Sequence, residues 1–269
     1  MSAPISASAV ARPALPIDNR AAASLINAAA AGKTLKVGGL VAFTATDYPG
    51  KLAAVVFVQG CPWRCGYCHN PHLQARGAAA PIAWGQVMRL LRRRTGLIDA
   101  VVFSGGEPTI DAALIDAMRE VRSLGFLVGL HTAGMYTRRL LEALPLVDWV
   151  GFDVKTTPER YDRVTRIEGS APSALDSARA VLASGVACEF RTTVHPALHT
   201  SDDLLRLAQS LSALGVRDYV LQRFRRTGCA DAQLNAVNAV NAVDAAGFIS
   251  PELLARVSAM FERFSLRSD

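Results

Sequence analysis

Short apolar, β-branched runs alternate with amphipathic segments along most of this chain, and that alternation narrows the fold more than any other feature. Ala53 to Val58, Ala100 to Phe103, Phe126 to Leu130, Trp149 to Val154, Ala187 to Val194 and Tyr219 to Arg223 read as strands. Helical patterns fall between them at Trp84 to Arg94, Asp111 to Leu124, Thr137 to Leu144, Ala174 to Ser184 and Ser201 to Leu214, several of them stopped by a glycine such as Gly125, Gly185 or Gly215. Strand-helix alternation repeated about six times predicts a parallel sheet with helices outside it. No G-x-G-x-x-G follows the first strand, so an α/β partial (β/α)6 TIM-like barrel fits better than a flat dinucleotide fold. At 269 residues the chain is long enough for one such barrel.

The ends of the chain read differently. Residues 1–34 are rich in Ala, Ser and Pro and lack the compact apolar stretch of a signal peptide, so a flexible tail is expected there. Residues 35–230 carry the alternating pattern, and 231–269 are expected to form a helical extension, with a final helix over Pro251 to Phe264 opened by Ser250. Inside that extension, NAVNAVNAVDAAG from Asn235 to Gly247 is a triplet repeat too short for a solenoid. Although 51% of residues are hydrophobic, no apolar run approaches the roughly 20 residues of a membrane span. The net charge of +6 comes almost entirely from arginine. The clusters Arg89, Arg92, Arg93, Arg94 and Arg223, Arg225, Arg226 lack interleaved aromatics, so they read as solvated faces and not as nucleic-acid surfaces.

The cysteines bring chemistry to this frame. Cys61, Cys65 and Cys68 stand at C-x3-C-x2-C spacing in GCPWRCGYCHNP, directly after the first strand. Three thiolates on one loop can hold three corners of a 4Fe-4S cube and leave the fourth iron open, whereas a structural zinc site closes with four protein ligands. His69 or His72 could complete a Cys3His zinc site, so a zinc-stabilised binding module stays open on the loop alone. Cys188, in an apolar-alternating run, reads as a packing residue, and Cys229 as a loop residue. An odd cysteine count at ligand spacing argues for a reducing compartment, the cytoplasm, over a disulfide framework.

The second strand ends in VVFSGGEPT, where Gly105 and Gly106 leave the backbone uncovered and Glu107 presents a carboxylate. Such a turn lets a ligand approach the main chain, with the carboxylate able to receive an ammonium group. Taken alone, it reads equally as a tight strand-to-helix turn.

Together, CPWRCGYC and SGGEPT resemble the cluster and methionine-binding motifs of the radical S-adenosylmethionine (SAM) superfamily. The segment TDYPGKLAAVVFVQGCPWRCGYCHNP, Thr46 to Pro71, is similar to the opening of glycyl-radical-enzyme activating enzymes, especially those of anaerobic ribonucleoside-triphosphate reductase. The resemblance implies one 4Fe-4S cluster on Cys61, Cys65 and Cys68, with SAM chelating the fourth iron. It implies reductive cleavage of SAM to a 5'-deoxyadenosyl radical and hydrogen abstraction from a glycine of a partner enzyme. A flavodoxin- or ferredoxin-like electron donor is implied too. By the same resemblance Gly105, Gly106 and Glu107 hold the methionine end, Tyr67, Cys68 and His69 lie near the adenine, and Asp153 and Lys155 of GFDVK contact SAM. Without that context Asp153 and Lys155 read as a surface ion pair.

Two positions depart from the pattern. His131, Thr132, Ala133 and Gly134 stand where these activases often have Asp-Thr-Asn-Gly, so a cation site dependent on that Asp is not implied, and His131 reads as a satisfied polar residue. The sixth strand ends Leu221, Gln222, Arg223 without the His some relatives use there, which leaves Arg191 and His195 of RTTVHP as candidates to face the barrel mouth. A radical SAM enzyme acting on a small molecule is the alternative to an activase.

Overall fold

The computed structural model describes residues 34–77, 79–240 and 248–268. The tail expected at the N-terminus and the end of the triplet repeat lie outside the described residues. From Leu35 onward the chain forms a compact unit built on one eight-stranded sheet in sequential order. Its strands are β1 (Val37–Thr44), β2 (Ala53–Val58), β3 (Ala100–Gly105), β4 (Leu127–Thr132), β5 (Trp149–Asp153), β6 (Ala187–Val194), β7 (Asp218–Arg223) and β8 (Arg263–Arg267). β1 pairs antiparallel to β2, and every later neighbour pairs in parallel. Sequential parallel order is that of a barrel and not of a doubly wound sheet, where the order reverses. The sheet begins at β1 and ends at β8, so the barrel is partial.

Strand β2 shows how the two sides are filled. Its sequence AAVVFV is buried almost throughout, as a parallel strand covered on both faces must be. Ala54, Val56 and Val58 join the large outer core under the helices. Ala53 and Val55 join Tyr48, Ala100, Val102 and Trp149 in a second cluster, with Phe57 and Leu127 packed against it. Helices at Trp84–Arg92, Leu114–Ser123, Thr137–Ala143, Ser170–Ser184 and Ser201–Leu214 occupy the expected intervals. The second of these starts three residues after Asp111, because the Asp111 carboxylate is spent on bonds from Lys36 N, Arg76 Nη2 and Ala113 N.

Two strands depart from the sequence reading. β1 carries paired glycines and two register shifts, so it shows no clean alternation. At the other end the helix expected over 251 to 264 stops at Ser258, and the chain re-enters the sheet as β8. The helical extension therefore closes with a strand. Tertiary partners decide this: Phe261 and Phe264 pack on Tyr219 at 4.8 and 6.2 Å, Arg263 pairs with Asp218, and Arg267 pairs with Glu189 at 2.7 Å.

Candidate active site

The loops at the C-terminal ends of β2 to β7 surround one cavity of about 490 Å³. Cys61, Cys65, Tyr67, Cys68, His69, Gly105, Gly106, Asp153 and Lys155 all line it, so residues scattered over nearly a hundred positions meet at one mouth. Backbone bonds fix the cysteine loop: Gly60 N and Cys61 N donate to Leu73 O and Gln74 O, Cys68 N closes a turn onto Cys65 O, and Arg64 N reaches Thr165 O.

The glycine pair packs against the base of that loop. Gly105 has φ +118°, and a Cβ there would lie 2.5 Å from Val58 N and O. At Gly106 a Cβ would lie 2.3 Å from Gly60 O and 3.1 Å from Cys61 Cβ. No side chain fits at either position, because the backbone of β2 and its loop fills the space that a Cβ would take, and both glycines line the cavity.

Glu107 does not face the cavity in the way its motif suggests. It is 1% exposed, and its carboxylate accepts from Thr109 N (3.1 Å), Thr109 Oγ1 (2.6 Å), Thr132 Oγ1 (2.8 Å) and Ala133 N (3.0 Å). Burial raises its pKa against the pull of those four donors. The carboxylate thus braces the ends of β3 and β4 beneath the glycine pair.

Beyond the end of β5, Lys155 Nζ lies 3.7 Å from Asp153 Oδ2 and 5.6 Å from the centre of the Tyr67 ring. Burial opposes the Lys155 charge, but the surrounding groups, the Asp153 carboxylate among them, more than offset it, so the pKa is raised. Asp153 shows the converse: burial would raise it, while Arg191 and Lys155 hold it below the usual carboxylate value. The backbone of Lys155 is clamped from both sides, its N donating to Tyr161 Oη at 3.2 Å and its carbonyl accepting from His199 Nε2 at 2.9 Å.

Of the two candidates in RTTVHP, Arg191 on β6 faces the mouth and His195, just after the strand, does not. His195 is fully buried, donates from Nε2 to Leu234 O at 3.1 Å and accepts from Ala197 N at Nδ1, which removes it from the site. His131 lines the cavity with Nε2 donating to Asp47 O at 2.9 Å and Nδ1 3.2 Å from Ser104 Oγ. Burial, with Arg191 adding to it, pushes its pKa down to about 3. His69 uses Nε2 to donate to Arg225 O at 3.0 Å and stacks on Phe224 at 5.8 Å. Thr193 and Gln222, register partners on β6 and β7, also line the cavity. They carry no motif, and only the alternation of polar residues Glu189, Arg191, Thr193 along β6 signals that its inner face is wet.

The cysteine loop brings three thiols to the cavity, one fewer than the four protein ligands that close a structural zinc site. Among the described residues no three His, Cys, Asp or Glu side chains are grouped so as to hold a single metal ion, and His72 is exposed. A cube holds its thiolates farther apart than the roughly 3.8 Å between ligands of a tetrahedral zinc. Burial pushes the Cys61 thiol up to about 12, with Glu107 adding to the effect, and burial likewise raises Cys65. Metal ligation deprotonates such thiols outright. The Tyr67 hydroxyl, buried in the same wall, has no hydrogen-bond partner among the described residues, which leaves a polar atom for a ligand to satisfy. Cys188 is half-buried and packs against the outer core, and Cys229 donates to Gly66 O at 3.4 Å.

Comparison with known proteins agrees with this geometry. The sequence pattern of the radical SAM superfamily matches residues 55–211. A chain of Methanocaldococcus jannaschii assigned as a glycyl-radical enzyme activating enzyme is 28% identical over 207 residues, covering 73% of this chain and 83% of that one. The pyruvate formate-lyase-activating enzyme of Clostridium pasteurianum is 31% identical over 166 residues, 60% of this chain and 68% of that one. Among solved structures, QueE from Escherichia coli aligns with TM-score 0.52 and 16% identity over 88% of this chain and 95% of that one. SuiB from Streptococcus suis aligns with TM-score 0.56 and 15% identity over 78% of this chain and 47% of that longer one. At such identities these two show the fold alone. Members of the superfamily use a 4Fe-4S cluster with SAM, and the C-x3-C-x2-C loop of Cys61, Cys65 and Cys68 fits that use. By sequence, fold and loop, the chain belongs to the radical SAM superfamily and, within it, to the glycyl-radical-enzyme activating enzymes.

Proposed function

We propose that this chain installs a glycyl radical on its partner by hydrogen abstraction from a backbone glycine, and that the partner is an anaerobic ribonucleoside-triphosphate reductase. What carries the reading is the convergence of the three cysteines, the bare Gly105–Gly106 backbone and the Asp153–Lys155 pair on one cavity. The chemistry supplied by a bound 4Fe-4S cluster with SAM is one-electron reductive cleavage of the sulfonium, which yields a 5'-deoxyadenosyl radical.

The chain's own residues hold and orient. Cys61, Cys65 and Cys68 would hold the cluster through three of its irons. Gly105 and Gly106 offer main-chain groups to the methionine end without a side chain in the way. Tyr67 and His69 would border the adenine, and the Asp153–Lys155 pair would meet the remaining polar groups of SAM. Trp63 and Tyr67, 4% and 5% exposed, screen the cluster loop from water, which protects a reactive radical from side reactions. The electron comes from a flavodoxin- or ferredoxin-like donor, and the reducing cytoplasm suits both cluster and thiols.

The segment Thr46 to Pro71 supports the reductase as partner. The relatives named as pyruvate formate-lyase-activating enzymes favour a second reading, in which the partner is pyruvate formate-lyase. The test is anaerobic incubation of reduced, cluster-loaded protein with SAM and each candidate partner, followed by electron paramagnetic resonance. A glycine-centred doublet with the reductase supports the proposal; a doublet with pyruvate formate-lyase alone replaces it by the second reading. SAM cleavage with no doublet on either would move the assignment to a small-molecule substrate.

A further inference from the structure

Asp153 is held by two cations from opposite sides, and only one of them belongs to its own motif. Lys155 approaches Oδ2, while Arg191 Nε donates to Oδ1 at 2.8 Å from the adjacent strand. The two residues are direct register partners on β5 and β6. To reach sideways, the guanidinium must lie flat across β5, and the chain leaves it a slot. A Cβ at Gly151 would lie 2.7 Å from Arg191 Nη1, 2.8 Å from its Cζ and 2.9 Å from His131 Cδ2. Arg191 Nη2 reaches Gly151 O at 3.4 Å inside this slot, and Nη1 rests 3.2 Å from His131 Nε2. The backbone repeats the connection, since Val154 N donates to Arg191 O at 2.9 Å.

Burying a guanidinium is a poor way to gain stability, because its desolvation offsets most of the attraction to a carboxylate. The arrangement is better suited to orientation. The Arg191 side chain is 9% exposed and that of Asp153 34%, so the arginine is packed in the wall while the carboxylate it grips still opens onto the cavity. One oxygen is pinned from behind, and the other is left toward Lys155 and the bound molecule. We propose that Arg191 is the positioning residue that fixes the Asp153 carboxylate at the barrel mouth, and that residue 151 is glycine so that the guanidinium can lie across β5 to reach it. The assignment rests on the reading that Asp153 faces bound SAM.

The test measures SAM affinity by equilibrium dialysis on anaerobically prepared, cluster-loaded protein, with iron per chain and melting temperature followed in parallel. The variants are Arg191→Gln, Asp153→Asn, the two combined, Arg191→Lys and Gly151→Ala. If Arg191 acts through Asp153, each of the first two weakens SAM by about tenfold and the combination does no worse than the larger single effect. Arg191→Lys recovers part of the loss, because it keeps the charge but not the sideways Nε–H. Gly151→Ala, which leaves both charged groups in place, weakens SAM as Arg191→Gln does; should Arg191→Gln fail to fold, Gly151→Ala and Arg191→Lys carry the test. A multiplicative loss of about a hundredfold in the combined variant would overturn the proposal, since independent effects add in free energy. Normal affinity in Arg191→Gln beside a weakened Asp153→Asn would overturn it too, leaving the reading of Asp153 intact. Normal affinity in Asp153→Asn would remove that reading and the proposal together.

Discussion

The Glu107 carboxylate, on the loop after β3, accepts a hydrogen bond from the Thr132 hydroxyl at the end of β4, 2.8 Å away. With Thr109 and Ala133 supplying the other donors, the acidic residue of the GGE turn is consumed by the protein itself. Glu107→Gln replaces one acceptor oxygen by a donor facing donors, and a buried mismatch of this kind costs about 1–3 kcal/mol. The expected result is a lower melting temperature with iron retained and SAM binding weakened only as far as the strand ends loosen. A large loss of SAM affinity at unchanged stability would instead return Glu107 to direct ligand contact.

Gly106 should tolerate even one methyl group badly. Its Cβ would press on Gly60 O and on the Cβ of the cluster ligand Cys61, and overpacking against backbone typically costs about 1–3 kcal/mol. Gly106→Ala is expected to reduce both melting temperature and iron per chain, because the strain falls on the loop that carries the thiols. Full iron loading in a well-folded variant would contradict this.

The cysteines divide by position. Cys65→Ala is expected to abolish the cluster absorbance and SAM cleavage, since among the described residues the other cavity-lining thiols are Cys61 and Cys68 alone. Cys188→Ala should leave iron and sulfide unchanged, because that thiol packs on the outer core. Iron and sulfide analysis after anaerobic reconstitution checks both.

Acid should destabilise the fold through its histidines. Burial lowers the pKa of His131 to about 3 and also lowers His195 and His199. A histidine with a depressed pKa takes its proton preferentially in the unfolded state. Its contribution is therefore present above about pH 6.5 and lost progressively as pH falls toward the folded value, at up to about 1.4 kcal/mol per pH unit for each group. Denaturant titrations between pH 7 and 4 should show falling stability, and His131→Asn should flatten part of the slope. An unchanged slope would mean that His131 is protonated in the fold.

Removing residues 259–269 tests the closing strand. The deletion strips Phe261 and Phe264 from Tyr219 and exposes the edge of β7. Reduced solubility and a lower melting temperature are expected, as an uncovered strand edge invites pairing between chains.

Six of the eight strands, the helices between them and the three cluster thiols are readable along the chain because each depends on local pattern: continuous apolar runs, helical periodicity, and ligand spacing within one loop. β1 and β8 are not readable in this way, since paired glycines blur one and the other is a five-residue segment whose partners, Tyr219, Asp218 and Glu189, lie some forty to eighty positions away. The same division runs through the site. The sequence alone determined the barrel class, the cysteine loop and the bare Gly105–Gly106 turn. Only the tertiary structure decided that Glu107 braces the wall, that His195 is buried elsewhere, and that Arg191 crosses the Gly151 slot to Asp153. Those outcomes depend on which side chains reach the free lone pairs and donors across neighbouring strands, and strand pairing, not local spacing, sets those distances.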